Sequence, residues 1–171
     1  MSLLYRTILR PAVFLQDSEK AHNRLISILA RTSRSRLLTS LLGNLYSSPE
    51  LPVNLFGLDF PNPLGIAAGM DKNGAAVPSW QSIGYGFSEI GGVTLHNQLG
   101  NPKPRMFRAT AERALVNRMG FNNIGANAVN DKLKDWKDRG LWPDSPVGIN
   151  LGKSKITKLN DAPKDYSGSL K

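Results

Sequence analysis

Apolar residues recur along the chain in two rhythms, and the change between them falls near Pro52. Before it the spacing is helical. Asp17, Ser18 and Glu19 form a helix start, because the Asp17 carboxylate can accept from the free N–H groups of a first turn. Ala21, Leu25, Ile28 and Leu29 then share one face, with Arg24 and Arg31 on others. Upstream, Leu3, Leu4, Ile8, Val13, Phe14 and Leu15 form a second apolar stretch. Pro11 lies inside it, removes a backbone donor, and predicts a kink or restart. Leu37, Leu38, Leu41, Leu42 and Leu45 predict a third short helix.

After Pro52, short apolar runs alternate with amphipathic ones. Val53–Leu55 and Leu58–Phe60 flank Phe56-Gly57 and predict a hairpin. Leu64–Gly69 reads as a buried strand ending in small residues. Ala75–Ile83 reads as a helix with Val77, Trp80 and Ile83 on one side and Pro78 in its first turn. Phe87–Gly91 is a second strand, followed by a Pro- and Gly-rich excursion from Thr94 to about Ala111. Asn123–Arg139 predicts a longer helix with Ile124, Val129, Leu133 and Trp136 periodic, stopped by Gly140. Val147–Leu151 is a third strand, and Asp161 opens a further helical segment. Strands apolar on both faces, alternating with helices, predict βα units on a parallel sheet. The pattern alone fits the front of a (β/α)8 barrel or an open doubly wound sheet. Leu64 to Lys171 is less than half of the roughly 250 residues of a typical (β/α)8 barrel.

Composition narrows the chemistry. The 171 residues contain no cysteine, which excludes disulfides, thiolate metal sites and a Cys nucleophile. The two histidines, His22 and His96, are far apart, so no metal cluster is expected. There is no apolar run of membrane-spanning length and no secretory leader pattern. The net charge of +9 suits nucleic acid, an acidic membrane surface or an anionic small molecule. Scattered Lys and Arg and the lack of zinc-finger, RNP or helix-turn-helix signatures make nucleic acid the weakest of these. Arg6, Arg10, Arg24, Arg31, Arg34 and Arg36 decorate the apolar N-terminal segments. Such segments suit either a bilayer surface or a helical cap on the main domain.

In parallel α/β folds functional groups gather where strands end. The first strand runs into Ala67-Ala68-Gly69-Met70-Asp71-Lys72, the second into Gly91-Gly92-Val93-Thr94, and the third into Asn150 and Gly152-Lys153. Small residues let a flat ligand approach the backbone, Lys72 adds a cation, and Asn150 can donate and accept. Asn117-Arg118-Met119-Gly120-Phe121-Asn122-Asn123 is a second concentration of polar groups, fit for a ligand wall or a helix cap.

Five segments resemble one family, the class 2, quinone-dependent dihydroorotate dehydrogenases. They are Asn62 to Gly74, Gly84 to Gly91, Gly100 to Arg108, Asn117 to Asn123, and Gly148 to Lys153, in the family's order and spacing. The resemblance implies an α/β protein of the (β/α)8 TIM-barrel class. Residues 51–171 would hold the first three or so βα units. Residues 1–50 would form a small helical extension that docks on the membrane and builds a quinone tunnel. It implies FMN as cofactor, dihydroorotate and orotate as substrate and product, a membrane quinone as acceptor, and no metal or nucleic acid. It places the protein in pyrimidine biosynthesis, peripheral on the cytoplasmic side of the inner membrane.

Position by position, the resemblance assigns Ala68, Gly69, Met70, Asp71, Lys72, Gly92 and Asn150 to FMN. It assigns Lys72, Asn117, Arg118, Met119, Gly120 and Phe121 to substrate, and His22 and Arg108 to the tunnel. Gly92 departs from the family, which usually has Thr or Ser there. The family's serine base and its phosphate site would fall beyond Lys171, so the chain is expected to be truncated, to hold no catalytic residue and to be inactive alone. Two other readings stand beside this one: a non-catalytic membrane-surface or partner-binding remnant, and a class 1-type FMN barrel with a soluble acceptor.

Overall fold

The computed structural model describes residues 3–46 and 51–171. A π-helical turn, Tyr5–Leu9, runs into α1 (Arg10–Phe14), and Pro11 falls in the new first turn, where its missing donor is tolerated. Asp17 Oδ1 accepts from Lys20 N at 2.9 Å and opens α2 (Ser18–Thr32). Ser35 Oγ does the same through Leu38 N at 3.3 Å for α3 (Arg36–Leu45). The expected end of the helical extension, at residue 50, lies outside the described residues.

β1 (Val53–Leu55) and β2 (Leu58–Phe60) pair antiparallel across Phe56-Gly57, as expected. Both turn residues have positive φ, 55° and 74°, the geometry whose twist suits a two-residue hairpin. β3 (Gly65–Ile66) leads to α4 (Val77–Ser82) and β4 (Phe87–Thr94). The excursion that follows carries a second hairpin, β5 (Met106–Ala109) with β6 (Ala114–Asn117), which the sequence pattern did not disclose. Its turn, Thr110 to Arg113, has no Gly, Pro or Asn, and Arg113 itself takes φ 53°. Then come α5 (Ala126–Asp138), β7 (Val147–Gly152) and, after a 3₁₀ turn, α6 (Ala162–Ser169).

β3, β4 and β7 form a parallel sheet in that spatial order. Sequential order with right-handed crossovers puts successive helices on one face, as in a barrel, whereas a doubly wound sheet reverses direction. The covered face holds the core: Val77, Ile90, Val93, Val129, Leu133 and Trp136 are buried together. Trp136 Nε1 also donates to Gly74 O at 2.9 Å. A second core, Leu29, Ala76 and Trp80, joins α2 to α4. Beside it the Ser33 and Ser79 hydroxyls are 2.7 Å apart, and Ser79 Oγ donates to Leu29 O at 2.9 Å.

Three expectations need correction. The strands are not apolar on both faces: Asn150 Nδ2 donates to Glu89 Oε1 at 3.2 Å on the face away from the helices, beside Gly148. Leu64–Gly69 is not a buried strand. Only Gly65 and Ile66 pair, and Leu64 is 63% exposed. The chain turns away at Gly69, φ 100°, whose N–H donates to Gly91 O at 2.6 Å. The long helix begins at Ala126 rather than Asn123. Asn123 is buried as a loop anchor: its Oδ1 accepts from Gly125 N at 2.8 Å and its Nδ2 donates to Thr94 Oγ1 at 2.8 Å.

Candidate functional site

The strand ends surround a cavity of about 650 Å³, within the usual range for a small-molecule or cofactor site. Its base is backbone and short side chains: Ala67, Ala68, Gly69 and Gly92. Small residues here leave the backbone of the β3 and β4 ends open to the cavity. A Cβ on Gly69 would meet nothing within 4 Å, and one on Gly92 would lie 3.4 Å from Asn150 Oδ1 and from Phe121 Cδ1. Met70 and Lys72 follow from the β3 end, Asn150 from β7, and Asn117, Met119, Gly120 and Phe121 from the segment after β6. Lys72, Asn117 and Asn150 therefore share one cleft.

One cation, Lys72, and one imidazole, His22, face this space. Lys72 Nζ donates to Asn122 Oδ1 at 2.7 Å. Burial, and then the Arg105 guanidinium, push the Lys72 ammonium below the usual lysine range, while Glu19 pulls it back. His22, reaching in from α2, is lowered by burial and then by the charge of Lys72. Both influences favour its neutral form. Among the described residues lining the cavity there is no carboxylate. A floor of small residues, an amide, a cation and apolar walls from Met70, Met106 and Phe121 fit a flat ring with polar edges and a small anion beside it.

Three expected site residues are placed elsewhere. Asp71 is 2% exposed and does not line the cavity. Its carboxylate accepts from Ala75 N at 2.8 Å, Ala76 N at 2.7 Å and Trp80 Nε1 at 3.2 Å. It fixes the turn that aims Lys72. Arg118 is exposed and donates to Pro104 O at 3.1 Å, away from the cavity. Arg108 and His22 do not line a common tunnel wall. Arg108 belongs to a neighbouring cavity of about 660 Å³, with Leu115 touching both spaces. Arg108 Nη1 donates to Gln16 O at 2.5 Å, which draws it toward the α1 end.

Sequence reasoning missed the pair that holds the cavity's α2 side. The Glu19 and Arg105 side chains are 6% and 8% exposed. Arg105 grips both Glu19 oxygens, at 2.7 Å from Nη2 and 3.1 Å from Nε, and its Nη1 donates to Leu99 O and Asn101 O at 2.7 and 2.9 Å. Ser18 Oγ adds a 2.6 Å bond to Met106 O. In the sequence Glu19 looks like an ordinary first-turn carboxylate, and nothing local marks Arg105 as its partner. Met106 and Leu115 were missed with the hairpin that carries them.

The chain is similar to known proteins over nearly its whole length. The family model for dihydroorotate dehydrogenase matches residues 50–171. A dihydroorotate dehydrogenase (quinone) of Chloroflexus aurantiacus is 46% identical over 175 residues, which cover 99% of this chain and 47% of the relative. One from Gloeobacter violaceus is 49% identical over 166 residues, covering 95% and 45%. The crystal structure of DHODH from Eimeria tenella in complex with ferulenol superposes with a TM-score of 0.73 at 38% identity, covering 90% of this chain and 40% of that one. The chain spans about half the length of the curated relatives it matches.

Proposed function

The chain belongs to the dihydroorotate dehydrogenase family, and from that premise we propose that it forms the FMN- and substrate-facing front of a quinone-linked dihydroorotate dehydrogenase of pyrimidine biosynthesis. The observation that carries the proposal is the single cleft shared by Lys72, Asn117, Phe121 and Asn150 over a floor of Ala68, Gly69 and Gly92. FMN, when bound, supplies the acceptor for the hydride leaving dihydroorotate. The small floor residues admit the ring to backbone contact. Asn150, oriented by Glu89, offers its amide to a polar ring edge. Lys72 neutralises the substrate carboxylate and favours negative charge on the neighbouring ring. Asn117 and Phe121 hold the substrate's polar edge and face. No residue of this chain is assigned the proton abstraction.

Quinone is the proposed acceptor, reaching the cavity on the His22 side. The N-terminal helices, which expose Leu3, Leu4, Ile8, Leu9 and Leu15, are proposed to rest on the cytoplasmic face of the inner membrane. Among the described residues no helix is long and apolar enough to cross a membrane.

The test is a chimera in which this chain replaces the matching front of the Chloroflexus aurantiacus relative. A yellow protein that oxidises dihydroorotate with a quinone supports the proposal. A folded chimera without flavin overturns it. A flavinated chimera that serves only fumarate or a nicotinamide moves the assignment to a soluble-acceptor enzyme.

A further inference from the structure

Lys72 stands on the partition between the main cavity and a smaller one of about 250 Å³, and His22, Met70 and Met119 line both spaces with it. A lysine there has two spaces to swing into, and its flexible stem does not aim itself. Among the described residues no ion pair engages it. Its ammonium donates instead to Asn122 Oδ1 at 2.7 Å. Asn122 lines the smaller cavity and not the main one. An ammonium only donates, so this contact turns the amide oxygen of Asn122 toward Lys72. The backbone that carries Asn122 is clamped on both sides. Before it, Gln98 Nε2 donates to Phe121 O at 3.0 Å and Asn101 Nδ2 to Arg118 O at 2.7 Å. After it, Gln98 and Asn123 exchange both backbone hydrogen bonds at 3.0 Å, and Asn123 Nδ2 donates to Thr94 Oγ1 at 2.8 Å. The acceptor is therefore in place before any ligand arrives. It is also neutral. A carboxylate at this position would hold the lysine harder and cancel its charge, whereas an amide holds it and leaves the charge whole.

We propose that Asn122 is a positioning residue for Lys72: it parks the ammonium at the edge of the main cavity, with its charge uncancelled, for the carboxylate of the ligand. The contact itself stands on the geometry above, and the identity of the ligand rests on the proposed function, which the inference deepens. The charged and titratable groups around Lys72 are Glu19 and His22 on α2, Arg105 ahead of β5, and the buried Asp71 beside it in the chain. A substitution at Asn122 leaves all four in place, so its effect on Lys72 is separable from theirs.

Acylation by an N-hydroxysuccinimide ester across a pH series, mapped by peptide mass spectrometry, reads Lys72 in the full chain and in the chimera, with the exposed Lys158 as internal reference. The reagent takes only the neutral amine. Asn122→Ala removes an acceptor from the charged form, so Lys72 should become reactive at lower pH than in wild type. Asn122→Asp has the same shape and adds a countercharge, so reactivity should move to higher pH. Orotate calorimetry on the chimera reads the ligand. Asn122→Ala should weaken orotate about 2- to 10-fold, the worth of one long side chain left mobile. Asn122→Asp should weaken it roughly 10- to 100-fold, because the ligand must then break an ion pair. In a Lys72→Ala background neither change should matter, whereas a role confined to loop structure would persist there. A Lys72 pH profile unchanged in both variants overturns the proposal, and so does an orotate loss that survives Lys72→Ala. A wild-type chimera that binds no orotate overturns the functional reading instead, and the Lys72 profile still decides the contact.

Discussion

Asp71 is expected to be a structural residue, and truncating it measures that directly. In Asp71→Ala three donors lose their acceptor: the N–H groups of Ala75 and Ala76 and the indole of Trp80. Ala76 and Trp80 are 0% and 2% exposed, so water replaces the carboxylate poorly. A buried donor left unpaired costs about 1–3 kcal/mol. Allowing the Ala75 N–H to find solvent, the loss should be about 3–5 kcal/mol, a large share of a typical domain's stability of about 5–15 kcal/mol. For a chain of this size that lowers Tm by roughly 10 °C or more. Asp71→Asn keeps one acceptor oxygen and turns an NH₂ toward a remaining donor, so it should fall between. Urea titration followed by tryptophan fluorescence reads the effect, since Trp80 itself loses a partner. Trp80→Phe should cost less alone, and in combination with Asp71→Ala the losses should fall short of additivity. An Asp71→Ala protein within about 1 kcal/mol of wild type would refute the structural role and return Asp71 to the list of ligand contacts.

Arg105→Met should destabilise the chain by about 3–5 kcal/mol, because it strands the buried Glu19 carboxylate with only the exposed Lys103, 3.5 Å away, as a partner. The Arg105 hydrogen bonds hold Glu19 below the ordinary value of 4.5. Its contribution is therefore present above pH 4.5 and lost as pH falls through the lower folded value, and Glu19→Gln should flatten that acid limb in denaturation series. In the chimera, Lys72→Ala should weaken orotate binding by roughly 10–100-fold by calorimetry, the worth of a charged hydrogen bond, with flavin content retained. Gly92→Ser should leave stability within about 1 kcal/mol and raise flavin absorbance per protein in the chimera, since its Cβ meets Asn150 and Phe121 at an easy 3.4 Å.

Local signals were readable where a single stretch of chain decides the outcome. Asp17 and Pro11 set helix starts, Phe56-Gly57 set the first hairpin, and Gly140, φ 63°, ends α5. The sequential order of β3, β4 and β7 was compatible with the pattern but not contained in it, because periodicity carries no strand order. Adjacent polar residues are where the sequence pattern could not separate the cavity wall from its surroundings. Asp71 and Lys72 are neighbours, yet one points into the core and the other into the cavity. Asn117 and Arg118 diverge in the same way. The β5–β6 hairpin was hidden because its turn uses an arginine where a glycine would have announced it. The Glu19–Arg105 contact joins positions 86 apart, and only the folded chain brings them together.

The fastening of α2 sets a practical limit on trimming. The greasy leading helices invite removal to gain solubility, and a cut ahead of Asp17 keeps the α2 cap intact. A cut within α2 is different in kind. It deletes Glu19 and leaves the Arg105 guanidinium without its counterion, and one that passes Leu29 also strips the Trp80 core of its α2 partner. The first half of that helix also carries His22, so a shortened protein would be altered in the wall of the main cavity as well as in its fold. What looks like a detachable leader is, from Asp17 onward, part of the frame of the fold.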